Sequence, residues 1–223
     1  MKLTAFLKRN WLALTLAVLP FFIIIALWDR FPEEIPMHWN AKGEIDGYGS
    51  PASLFLTPVI TLFTMAIVWL VPLLDPKKNV QHFQKTLDMI VLALAAFFLL
   101  VFIGIISASL GYEFDMGNVI LSGVLILFIV LGNYFGKLRP NYFVGIRTPW
   151  TLENETVWLK THRLGGKVWV YGSLIMLIAK FLLPMEPFFI FIFIGFTLLI
   201  ALIPIVYSYL LYKKMEKEGQ INP

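Results

Sequence analysis

The chain has 223 residues, of which 59% are hydrophobic and only 14% are charged, and its mean hydropathy is +0.79. This composition is too apolar for a soluble domain of that size and is typical of a protein that crosses a membrane several times. The net charge of +4 gives no ground for predicting nucleic-acid binding, and the lack of cysteine excludes disulfides, thiolate catalysis and cysteine-ligated metals.

Six apolar runs predict the helices that cross the membrane. The runs are Trp11–Trp28, Leu54–Leu74, Leu87–Leu110, Val119–Phe135, Val168–Leu183 and Phe188–Tyr212. A helix rises ~1.5 Å per residue and the hydrocarbon layer is ~30 Å thick, so a span needs about 20 residues. The fourth and fifth runs are shorter, and we expect each to borrow flanking residues. The sequence therefore predicts an all-α, polytopic membrane protein with six transmembrane helices.

The connection between the first two runs, residues 29–53, is the main polar feature on one side. Proline and glycine punctuate it, and Asp46-Gly47 is a turn signal. We expect a compact, partly extended loop. Against Arg30 and Lys42, it holds five acidic residues, which are Asp29, Glu33, Glu34, Glu44 and Asp46.

The connection between the fourth and fifth runs, residues 136–167, holds six of the eighteen Lys and Arg residues. Its pattern predicts a short helix at the membrane interface. Thr148 or Thr151 could cap the start of this helix, and Gly165-Gly166 would end it.

On one continuous helix, Trp150 and Val157 would share a face. Leu152, Glu155 and His162 would lie opposite. A helix that is apolar on two sides suggests that one face contacts the bundle or the bilayer and that the other contacts a partner.

The distribution of basic residues predicts the orientation. Fifteen of the eighteen Lys and Arg residues lie in four segments that share one side if the chain crosses six times. The other side has only Arg30 and Lys42, and Lys180 lies inside the fifth run. Since basic residues accumulate in cytoplasmic loops, both termini are predicted to be cytoplasmic.

The same layout predicts two modules in a multi-pass cell-membrane protein. Residues 1–75 would form an amino-terminal two-span module with the acidic extracytoplasmic loop 29–53. Residues 76–223 would form a four-span module with the cytoplasmic loop 136–167.

The two polar connections also carry motifs that resemble a known family. The outer motif consists of Pro36, His38, Trp39, Asn40, Gly43, Asp46, Gly47, Tyr48 and Gly49. The inner motif consists of Gly145, Arg147, Thr148, Pro149, Trp150, Leu152, Glu155, Trp158, His162 and Arg163. Together with the six-span layout, they resemble the SdpI family over nearly the whole chain.

This resemblance implies an integral membrane immunity protein without a cofactor, not an enzyme. The family's founding member protects a bacterium from its own secreted peptide toxin. It also holds a cytoplasmic transcriptional repressor at the membrane. The resemblance therefore implies a peptide toxin outside and a repressor inside as partners, and says nothing of the oligomeric state. The alternative is a small transporter or channel that exports a toxin or an ion.

Each motif also has a plainer interpretation. Arg147, Trp150 and Trp158 could dock a soluble partner, or could anchor an interfacial helix, because Trp and Arg suit the headgroup layer. The acidic outer loop could attract a cationic toxin, or could simply lie where basic residues are disfavoured.

Lys180 is a charge within a span and hence a functional candidate. We expect it to snorkel outward toward Glu186 instead. The three histidines, His38, His82 and His162, lie in separate segments and predict no metal site.

Overall fold

A computed structural model describes residues 3–40, 42–76, 79–182 and 188–221. Among these residues, six helices are long and apolar enough to cross a membrane, which makes the chain a multi-pass membrane protein. A seventh helix, α5, has only five residues. The elements are α1 (Leu3–Ala26), β1 (Ile35–Trp39), β2 (Ile45–Gly49), α2 (Leu56–Leu74), α3 (Gln84–Ser109), α4 (Met116–Phe135), α5 (Pro149–Glu153), α6 (Glu155–Leu182) and α7 (Phe188–Lys217).

The two short runs do extend into flanking sequence, as expected. Helix α4 starts at Met116, and α6 starts at Glu155, well before the apolar run at Val168. The prediction that Gly165-Gly166 ends a helix is wrong, because α6 continues through both residues. These glycines serve a helix crossing instead of a helix end, as described below.

The chain is mostly helical, as predicted, and the outer loop that was expected to be partly extended forms an antiparallel hairpin of β1 and β2. The predicted turn at Asp46-Gly47 is wrong, since both residues lie within β2. The turn forms instead between Asn40 and Glu44. The Asn40 side-chain oxygen accepts the backbone N–H groups of Lys42 (2.8 Å) and Glu44 (3.1 Å), which fixes the turn at this point.

One compact unit groups the described residues of Met1–Trp69 and Asp88–Leu127. Ile35 of the hairpin is fully buried in its core, so β1 is tied to the helices. That core consists of Ile24, Ile35, Leu54, Phe102, Ile105, Ile106 and Met116. An ion pair between Arg9 of α1 and Asp88 of α3 (2.7 Å) joins these two helices.

The other compact unit groups the described residues of Leu70–Leu87 and Phe128–Pro223. Within it, α4 and α6 approach backbone to backbone at Gly132 and Gly166. A Cβ atom on Gly166 would lie 2.5 Å from the Gly132 carbonyl oxygen, so only glycine fits at this crossing. The crossing fixes the part of α6 that carries the inner motif. The predicted division at residue 75 differs from these units and stays a prediction.

Candidate functional site

The inner motif folds around His162, which is fully buried on α6. Its Nε2 accepts the backbone N–H of Ile146 at 2.9 Å. Its Nδ1 lies 2.8 Å from the carbonyl oxygen of Trp158, which can only accept. These two partners assign a neutral imidazole with its proton on Nδ1. His162 therefore fastens the loop before α5 to the α6 helix.

Trp158 is also fully buried, one turn before His162. Its indole N–H donates to the carbonyl of Leu138 at 2.9 Å, and its ring stacks on His162 with a centroid separation of 4.1 Å. The expectation that Trp158 contacts a partner or the headgroup layer is therefore wrong. Its N–H and its ring are both used inside the protein.

The predicted placement of His162 beside Leu152 and Glu155 is wrong for a related reason. Asn154 adopts an extended conformation and separates α5 from α6. Its side-chain oxygen accepts the Val157 backbone N–H at 3.1 Å, which caps the start of α6. Because the helix is interrupted, its phase does not carry from Leu152 to His162, and Glu155 is exposed while His162 is buried.

Gly145 lets the loop approach His162. Its φ angle is +120°, and a Cβ atom there would lie 2.4 Å from the Nε2 of His162. A non-glycine residue would be strained in its backbone and would collide with the imidazole. The glycine of the motif is therefore required by the histidine that follows seventeen residues later.

Asn141 is a buried residue of this site that the sequence analysis did not single out. Its side-chain oxygen accepts the N–H groups of Phe143 (2.8 Å) and Val144 (2.7 Å). Its amide donates to the carbonyls of Arg139 (2.8 Å) and Val144 (3.0 Å). All four bonds shape the loop. Pro140 and Asn141 are both residue types that dominate turns, and this is the signal that could have revealed it.

Thr148 caps α5, which confirms one of the two predicted caps. Its side chain accepts the Thr151 N–H (3.2 Å), and the Thr151 hydroxyl in turn accepts the Thr148 N–H (2.9 Å). The Thr148 hydroxyl also lies 3.0 Å from that of Ser208 on α7. Thr151 and Ser208 complete a buried hydroxyl cluster that joins α5 to α7.

The rest of the inner motif is accessible. Arg147 is exposed and donates to the Tyr142 carbonyl at 2.6 Å, while Trp150 is half-buried against Tyr209. The ten motif residues thus divide into a buried scaffold and an accessible surface. The accessible set is Arg147, Pro149, Trp150, Leu152, Glu155 and Arg163.

A cavity of about 380 Å³ lies beside this scaffold. Arg147 and Thr148 line it from the motif, and Trp169 and Pro204 line it from α6 and α7. The lining is mostly apolar with one guanidinium. It is suited to an apolar side chain or an acyl chain and carries no nucleophile–base pair.

The outer motif residues shape the hairpin. Gly43 has φ +80° at the turn, and a Cβ atom on Gly47 would lie 2.9 Å from the Cβ atom of His38. The His38 Nδ1 lies 2.5 Å from a carboxylate oxygen of Asp46. Pro36 lies opposite Tyr48, Trp39 lies opposite Ile45, and Gly49 ends β2, while Asn40 closes the turn. All five acidic residues of the loop are exposed.

The Lys180 side chain is buried, with 6% of the residue exposed. Glu186, toward which it was expected to snorkel, lies outside the described residues. Among the described residues, no cluster of three or more His, Cys, Asp and Glu side chains could hold a metal ion.

The family model described as the SdpI/YfhL protein family matches residues 137–208, and a domain of unknown function (DUF1648) matches residues 15–62. A curated relative, the "Immunity protein SdpI" of Bacillus subtilis (strain 168), is 31% identical over 212 residues. The alignment covers 94% of this chain and 98% of the relative. No solved structure matches.

Proposed function

The chain belongs to the SdpI/YfhL protein family, and from this membership we propose that it is a membrane immunity protein that protects its cell from a secreted peptide toxin. The observation that carries the proposal is the 31% identity to an immunity protein, aligned over nearly the full length of both chains. That relative is named for immunity and not for a reaction, and we assign no catalytic role to this chain.

In this proposal, the hairpin between α1 and α2 lies outside the cell and is the part that a toxin meets first. Its five exposed carboxylates favour the approach of a cationic peptide. Long-range attraction of this kind raises the rate of encounter and weakens as salt is added.

Expression of this protein in a cell that is sensitive to the cognate toxin should raise survival when purified toxin is added. The chain without toxin, and toxin without the chain, give the two baselines. Unchanged survival, with insertion in the membrane verified by fractionation, would reject the immunity function.

A pair of variants tests whether the charges of the outer loop contribute to protection. Glu33→Gln with Glu34→Gln removes two outer charges and should reduce protection, most clearly at low salt. Glu153→Gln with Glu218→Gln removes two exposed carboxylates outside both motifs and is the matched control. Equal protection by both pairs would remove the outer loop from the mechanism.

We further propose that the accessible surface of the inner motif faces the cytosol and docks a transcriptional repressor. The cytosolic placement is supported by the fifteen basic residues that share its side of a six-span chain. Arg147 offers a cation and Leu152 an apolar contact, and the buried scaffold beneath them keeps both in place. Such a mixture is typical of protein interfaces.

Single cysteines test this placement, because the chain has none of its own. Glu33→Cys should react with a membrane-impermeant maleimide on intact cells. Glu155→Cys should react only after the membrane is opened. Both sites are exposed glutamates, so the pair is matched in accessibility. Labelling of Glu155→Cys from outside would overturn the orientation and, with it, the docking of a cytosolic repressor.

A further inference from the structure

A second cavity, of about 310 Å³, opens between α4 and α6. Three glycines line it, which are Gly132 and Gly136 on α4 and Gly166 on α6. Gly132 and Gly166 bring the two helices into contact at one end of this groove, and the exposed Gly136 adds no side chain that would fill it. This groove is a separate feature from the cavity beside Thr148.

Positive charge lines this groove without any carboxylate. Arg163 and Lys167 lie four residues apart on α6, so they share one face about one helical turn apart. Both are exposed, and among the described residues neither forms an ion pair. The Asn133 side chain adds an amide to the lining. The groove therefore offers several hydrogen-bond donors to an anion, two of them charged.

The carboxyl end of α4 carries the negative end of the helix dipole, which disfavours an anion and which the cations beside it must outweigh. The Tyr134 and Phe135 carbonyls, however, already accept the N–H groups of Lys137 (3.0 Å) and Leu138 (3.1 Å). The Lys137 ammonium lies above the Tyr134 ring, 4.5 Å from its centroid. Lys137 directly follows the lining residue Gly136 and thus adds a cation at the end of α4.

The groove changes character along α6. Its charged part is at Arg163 and Lys167, and the following turn contributes Val170 and Tyr171. The apolar run of this span begins at Val168, immediately after Lys167. An occupant that fits both parts has an anionic group joined to an apolar chain.

We propose that this groove binds the phosphodiester headgroup of an anionic phospholipid. The phosphate oxygens accept from Arg163, Lys167 and Asn133, while the lipid chains run along Val170 and Tyr171. Cations at the edge of an apolar span are the usual partners of such headgroups. The groove goes beyond immunity, because it concerns how the protein is held by its own membrane. It assigns Arg163 to the lipid and leaves Arg147 and Leu152 for the docked repressor.

The experiment titrates the full chain in nonionic detergent with phosphatidylglycerol and counts bound lipid by native mass spectrometry. The variant Arg163→Gln with Lys167→Gln should bind about thirtyfold more weakly, given a contribution of about 1 kcal/mol from each cation near a headgroup. The matched control is Lys160→Gln with Lys217→Gln, which removes two exposed cations outside the groove and should stay within about twofold. Phosphatidylcholine should bind weakly to every form.

Three results would overturn the proposal. An equal loss of lipid affinity in the groove variant and the control variant would show diffuse electrostatic attraction. An unchanged affinity in the groove variant would show that the lipid does not bind in the groove. Displacement of the lipid by inorganic phosphate alone would show a site for a free anion.

If the double variant fails to fold, the single changes Arg163→Gln and Lys167→Gln replace it. Each should bind several-fold more weakly, and an unchanged affinity in both would be equally decisive.

Discussion

Replacing Gly166 with alanine should lower the free energy of unfolding by about 3 kcal/mol, the upper range for adding a methyl group to a packed site. The new Cβ atom would lie 2.5 Å from the carbonyl oxygen of Gly132 and 3.4 Å from the Cβ atom of Phe135. A backbone carbonyl cannot rotate away, so α4 and α6 must separate. This separation would change the shape of the cavity between α4 and α6. It would also shift His162, which lies on α6.

Gly195 on α7 supplies the matched control, because a Cβ atom there meets nothing within 4 Å. Gly195→Ala should be neutral or should stabilise the protein by up to about 1 kcal/mol, since alanine is the better helix former. Thermal unfolding in detergent, followed by circular dichroism, compares the two variants. Equal midpoints would mean that the helices do not cross closely at Gly166.

The spans could be predicted from the sequence because hydropathy and length are local quantities. The meaning of Gly165-Gly166 could not. Two consecutive glycines are typical of a helix end, and the same pair also allows close contact with another helix. The deciding atom is the Gly132 carbonyl oxygen, which lies more than thirty residues earlier in the chain. No periodicity within α6 contains that information.

The same limit explains the placement of Trp158 and His162. Their residue types are common at membrane interfaces and on polar helix faces, so local pattern favoured accessible positions. Their partners, the Leu138 carbonyl and the Ile146 N–H, come from the preceding loop. Asn154 then interrupts the helix, so a helix face assigned from Leu152 does not continue to His162.

The hairpin was missed for a different reason. Asp46-Gly47 is a strong turn signal, but Asn40 makes the hydrogen bonds that close the turn six residues earlier. The partly extended character of the loop could be predicted from its prolines and glycines. The strand pairing could not be predicted, because it depends on whether the chain turns at Asn40 or at Asp46-Gly47.

Replacing Gly145 with alanine should lower the free energy of unfolding by about 4 kcal/mol. Two costs add, which are the strain of a side chain at φ +120°, about 1 to 3 kcal/mol, and the loss of the buried bond from Ile146 to His162, about 1 to 3 kcal/mol. The bond is lost because the new Cβ atom, 2.4 Å from Nε2, pushes the imidazole away. Stacking of Trp158 on His162 should also be disturbed, which tryptophan fluorescence can follow.

Gly111 separates these two costs. It too has a positive φ, +87°, but a Cβ atom there meets nothing within 4 Å. Gly111→Ala therefore carries backbone strain alone and should cost about 1 kcal/mol, with unchanged fluorescence. If Gly145→Ala costs no more than Gly111→Ala, the imidazole is not held against the loop. In that case the motif glycine is needed for its backbone alone, and the accessible surface at Arg147 loses the anchor that keeps it in place.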